Sequence, residues 1–135
     1  MKKLMIFTAL FLLIGLSSCE EDSQPLECAT DLICTEQLVS FAFQPTNGQG
    51  EPLILDNYYT QNLDNGNSYD FNNPSFSNTP GFYIVISDSQ MNEIEADGTS
   101  IRFIGEVNGE IVIQQDFVVG HDCCHITQVS GPFVQ

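Results

Sequence analysis

Apolar and polar positions alternate along most of the chain with a period of two, the signature of half-buried β-strands. Val39, Phe41 and Phe43 alternate with Ser40 and Ala42. Residues 53–60, with β-prone Ile54, Tyr58 and Tyr59, predict a second strand. The nearly continuous apolar run at residues 82–86 predicts a strand covered on both faces. Ile101, Phe103 and Gly105 alternate with Arg102 and Ile104, and Asn108-Gly109 then precedes Ile111-Val112-Ile113. Asn-Gly between apolar runs predicts a tight hairpin, because a type I′ turn needs φ > 0 at both central residues. Residues 117–119 extend that strand or follow a bulge, and residues 126–129 form the last one.

Sustained helical periodicity is missing from this part of the chain. Residues 91–96 predict one helical turn before Asp97-Gly98, nothing longer. Residues 45–52 are dense in turn formers. Residues 61–80 hold six Asn, three Ser and two Pro, an excursion longer than most loops in a compact domain. The alternation of Tyr69 and Phe71 with Ser68 and Asp70 predicts a short strand inside it. Six to eight short strands in about 105 residues imply an all-β fold, an antiparallel β-sandwich.

The first eighteen residues follow a different rule. Lys2 and Lys3 precede a thirteen-residue apolar run at 4–16. That run is shorter than the ~20 residues of a spanning helix, but it suits the apolar region of a signal peptide. Leu16-Ser17-Ser18-Cys19 resembles the lipobox of bacterial lipoproteins, which implies cleavage before Cys19 and acylation of that residue. One acyl chain holds a protein to a bilayer only marginally, whereas two or three anchor it stably. The expected organisation is a signal-peptide helix at 1–18, an acidic lipidated tether at 19–27, and a sandwich domain at 28–135. Glu20-Glu21-Asp22 resembles the surface-export signal of Bacteroidota lipoproteins. It implies the outer face of the outer membrane, with the periplasmic face as the alternative.

Charge sharpens this picture. The whole chain carries 18 acidic against 3 basic residues. Removing residues 1–18 takes away both lysines and leaves Arg102 as the sole Lys or Arg, a side-chain sum of −17. Nucleic acid is excluded as a partner, since phosphates require basic side chains.

Two motif groups resemble carboxypeptidase regulatory-like (transthyretin-like) domains. They are Asn47-Gly48-Gln49-Gly50-Glu51-Pro52-Leu53 with Tyr69-Asp70-Phe71, and Pro80-Gly81-Phe82-Tyr83-Ile84-Val85. The resemblance spans about 40 residues and implies an Ig-like or transthyretin-like sandwich. The mature chain as a whole, Asp122-Cys123-Cys124-His125 included, resembles small surface lipoproteins of Bacteroidota. That resemblance bears on location and fold and brings no activity with it.

With Cys19 acylated, Cys28, Cys34, Cys123 and Cys124 remain. An even number in an exported protein predicts two disulfides. A bridge between the adjacent Cys123 and Cys124 would close a strained ring, so Cys28 and Cys34 are expected to pair with them. Successive strand residues face opposite ways, so the N-terminal segment must wrap an edge or meet a loop to reach both.

The competing chemistry at this place is metal binding. His121, Asp122 and His125 flank the two thiols, a donor set that suits Cu or Zn. On an extended strand the two histidines would stand about 13–14 Å apart, and a sharp bend would be needed to unite them. Asp64 and Asp70 offer oxygen ligands for Ca²⁺ without the spacing of a calcium loop. Glu93, Glu95 and Asp97 alternate on a predicted loop as a wetted face. Tyr58, Tyr69 and Phe76 are candidates for lining a glycan or peptide site beside the long loop.

No phosphate loop, nucleophile elbow or zinc-protease motif occurs. The expectation is a non-enzymatic lipoprotein with no resident cofactor. It is held to the membrane by its lipid and has a glycan, a peptide or another envelope protein as partner. Metal binding is the alternative.

Overall fold

The computed structural model of the chain describes residues 27–71 and 79–134. The expected signal peptide, most of the expected tether and Phe76 lie outside them. Two antiparallel sheets form the domain. In the smaller, β1 (Ser40–Phe43) pairs with β4 (Tyr83–Ser87). The larger has the order β3-β2-β5-β6-β7 and comprises β2 (Asn57–Asn62), β3 (Ser68–Tyr69), β5 (Thr99–Val107), β6 (Glu110–His121) and β7 (Ile126–Ser130). A 3-10 turn at Asp88–Glu93 follows β4 directly.

The period-two pattern places the core. Tyr58, Thr60 and Asn62 of β2, Ile101 and Phe103 of β5, and Phe117 and Val119 of β6 all point to one face of the large sheet and are buried. All five residues of β4 are buried, as its unbroken apolar run predicts. The Phe43 ring bridges the sheets, packing edge-on against Phe103 and Phe117 at centroid distances of 5.4 Å. Tyr58 meets Tyr83 across the same interface at 4.8 Å. Such aromatic pairs contribute about 0.5–1.5 kcal/mol each beyond the area they bury.

Asn108 and Gly109 have φ of 54° and 77°, the left-handed values that a type I′ hairpin demands. β6 runs unbroken through residues 117–119, and the register slips between Val118 and Val119 against β7.

The second strand starts later than the pattern suggests, at Asn57 instead of residue 53. The preceding residues are held by partners distant in sequence. Thr46 bridges Pro52, and Leu53 N donates to Pro45 O. The Tyr83 hydroxyl accepts from Leu55 N and donates to Leu53 O. Likewise the helical turn begins at Asp88, not at 91, because Ser87 N and Oγ both donate to Gln90 Oε1.

The Asn-rich excursion is ordered around one buried side chain. Asn62 Oδ1 accepts from the N–H groups of Asp64 and Asn65, while its Nδ2 donates to the Tyr69 hydroxyl and to Glu93 O. Glu93 is more than a wetted residue. Its Oε2 accepts from Asn67 Nδ2 at 2.6 Å, Tyr69 Oη at 3.0 Å and Asn65 Nδ2 at 3.3 Å. The Asn67 and Tyr69 donors hold its carboxyl below the usual range.

Candidate functional site

The bend between β6 and β7 gathers the chemistry-bearing residues. Asp122 Oδ1 accepts from the N–H groups of Cys124 (3.0 Å) and His125 (2.8 Å), and Asp122 N donates to His125 O. These N–H donors, His125 first, lower the Asp122 pKa. Cys123 takes φ of 77°, and its N–H donates to His121 Nδ1. This left-handed residue breaks the alternation that would send adjacent cysteines to opposite faces. The N-terminal segment therefore reaches both, as Cys28–Cys123 and Cys34–Cys124.

A second fastener lies beside the disulfides. Asp88, the first residue of the 3-10 turn after β4, accepts Ile126 N on Oδ1 at 2.9 Å. Its Oδ2 accepts Val39 N and stands 2.8 Å from His125 Nδ1. A carboxylate only accepts, so Nδ1 carries the proton. In the neutral ring, Nε2 then accepts the Thr35 hydroxyl, which lies 2.8 Å away. Burial pushes the Asp88 carboxyl up, but the Ile126 and Val39 N–H groups and His125 outweigh it and leave the pKa below the ordinary value.

Thr35, His125 and Asp88 share the hydroxyl–imidazole–carboxylate order of nucleophilic hydrolases. Their setting differs. Thr35 is exposed, within a run of exposed residues at 27–38. Asp88 spends both oxygens on backbone N–H groups from two separate segments. The array ties the N-terminal segment, β4 and β7 into one cross-link.

Among the described residues, Cys28, His121 and Cys123 form the only group of three potential metal ligands close enough to share an ion. Both sulfurs are consumed by their disulfide, and a disulfide offers no thiolate. The bend that could unite the histidines exists, yet His121 faces Cys123 and His125 faces Asp88 and Thr35. Asp64 lies in the turn after β2, where its Oδ2 accepts Ser100 N, and exposed Asp70 follows β3. Neither joins a three-ligand group. Tyr58 and Tyr69 sit in the core at 7% and 8% exposure, and burial raises the pKa of each.

A groove of about 600 Å³ opens where the sheets part, between β1 and β7. Phe41, Ala42, Ile84 and Ile126 give it an apolar floor, and Thr127 and Gln128 line its β7 side. β7 ends the sheet order, so among the described residues one of its edges has no strand beside it. Sequence reasoning located the cysteines and histidines but missed Asp88, Thr35 and the groove, whose residues come together only through tertiary pairing. No family model matches the chain, and neither a curated protein nor a solved structure shows detectable similarity to it.

Proposed function

We propose that the chain is an exported lipoprotein, anchored by acylated Cys19 in the outer membrane and displayed at the cell surface. Its β-sandwich serves a non-enzymatic structural or binding role. The observation that carries this reading is cysteine bookkeeping: the two disulfides use four of five cysteines. Cys19, in the lipobox-like Leu16-Ser17-Ser18-Cys19, is left with no cysteine of its own chain to pair with. Disulfides persist in oxidising compartments, which agrees with export. Lipidation resolves the odd cysteine, and Glu20-Glu21-Asp22 supports transfer to the surface.

The groove between β1 and β7 suits an extended peptide segment of an envelope protein. The open β7 edge supplies main-chain hydrogen bonds, and the apolar floor takes alternate side chains.

Expression of the full chain in a bacterial host that sorts lipoproteins tests the anchor and the address. The wild type is expected in the outer-membrane fraction, with antibody labelling of intact cells, and Cys19→Ala is expected in the soluble fraction. Retention of Cys19→Ala on the membrane would overturn the anchor. Labelling only after permeabilisation would assign the periplasmic face instead.

A further inference from the structure

Residues 27–38 are all exposed, yet two covalent bonds fix them to the sandwich. Between Cys28 and Cys34 lies a five-residue loop whose ends are tied to adjacent cysteines, with Cα–Cα distances of 5.5 and 5.2 Å. In its second half, after the turn that Leu32 N closes on Ala29 O, Leu32 is 48% exposed and Ile33 95%. Single exposed apolar residues are ordinary. This pair differs because the loop is held by sulfur and not by packing, so burial in the domain does not account for its apolar side chains.

The occupant of this apolar pair follows from the length of chain before it. Cys19 precedes Cys28 by nine residues, which span at most about 30 Å when fully extended. The loop is therefore the first part of the domain that the chain reaches from Cys19. The exposed Ile111 and Val112 start β6, and β6 ends two residues before the bridged Cys123. Strand rise puts that end of the sheet roughly 35 Å from the disulfides.

We infer that the loop closed by Cys28 and Cys34 is a foot that seats Leu32 and Ile33 in the lipid surface holding Cys19. This rests on the reading of Cys19 as the anchor. The foot works by apolar insertion, not by charge. Arg102, the only Lys or Arg of the mature chain, is engaged with Asp116, and the acidic Glu27, Asp31, Glu36 and Asp122 lie in the loop or within two residues of its bridged cysteines in sequence. Zwitterionic headgroups are accepted, and anionic lipid is repelled.

The chain contains no tryptophan, so Ile33→Trp and Val112→Trp are single reporters at the two ends of the domain. Each variant is purified as the full lipidated protein and reconstituted into phosphatidylcholine vesicles, with and without brominated phosphatidylcholine. Flotation scores the anchor, and fluorescence scores the foot. The expected result is flotation of both variants, with a blue shift and loss of most emission to bromine for Ile33→Trp alone. Replacing part of the lipid with phosphatidylglycerol is expected to reduce that loss. Flotation with Ile33→Trp unquenched, or quenched no more than Val112→Trp, would overturn the foot and leave the anchor standing. Failure to float would remove both. A blue shift without vesicles that disappears on dilution would assign the apolar pair to contact between two copies, and would also overturn the foot.

Discussion

Asp88 Oδ2 and His125 Nδ1 stand 2.8 Å apart across a 37-residue separation, and the same oxygen also accepts Val39 N. With Oδ1 on Ile126 N, one carboxylate joins three segments that no local rule would associate. Its ionised form is favoured by folding, because its pKa is lower than in the unfolded chain, where Asp titrates near ~3.9.

The stabilisation from Asp88 is therefore complete above about pH 5 and is lost as the pH falls through its lower folded value. Asp88→Asn keeps the shape but supplies one acceptor oxygen where the carboxylate offers two. It is expected to cost about 2 kcal/mol at pH 7 and to flatten part of the acid limb of stability. Asp116 and Asp122 are also lowered, so the limb does not vanish. Urea midpoints measured from pH 7 to pH 2 for both proteins check this.

Asn62 is fully buried, with side-chain bonds to Asp64, Asn65, Tyr69 and Glu93. Asn62→Ala strands two backbone N–H groups and the Glu93 carbonyl, and is expected to cost about 3 kcal/mol. Hydrogen exchange is expected to accelerate first in residues 62–69. An unchanged melting temperature would refute the hub role.

Thr60 Oγ1 is the one buried side-chain polar atom among the described residues that has no hydrogen-bond partner. Thr60→Val is nearly isosteric and removes the orphaned hydroxyl. It is expected to stabilise the domain by about 1 kcal/mol, seen as a raised denaturant midpoint with an unchanged slope.

Replacing either bridge with a serine pair leaves the other closing a loop of about the same length, 95 or 90 residues. In the chain-entropy account, the first loss costs roughly 2–3 kcal/mol and the second a further 4–5 kcal/mol. The order of removal is expected not to matter. Thiol titration of the denatured, unreduced domain from residue 27 onward is expected to find no free thiol.

Local signals were legible where neighbours in sequence decide the structure. Asn108-Gly109 fixes its hairpin through backbone sterics alone, and the apolar run of β4 requires cover on both faces. That Cys28 and Cys34 pair across to Cys123 and Cys124 was readable, because a bridge between adjacent cysteines is strained, but which takes which was not, since it is set by the bend at Cys123. The start of β2 was not, because Leu53 and Leu55 answer to the Tyr83 hydroxyl, about thirty residues onward. Nor was the fastener at Asp88, whose partners Val39 and His125 lie 49 residues before it and 37 after. Glu93 reads as a solvated loop acid until Asn65, Asn67 and Tyr69 fold over it.

The Cys28–Cys123 bond also decides how tension crosses the molecule. A pull between residue 27 and the C-terminal end passes from Cys28 straight to Cys123 and then along β7. Everything between those two cysteines, β1 through β6, hangs in a covalent loop outside the load path. A protein held at its N-terminus and tugged from the other side would surrender β7 while the rest of the sandwich stayed folded.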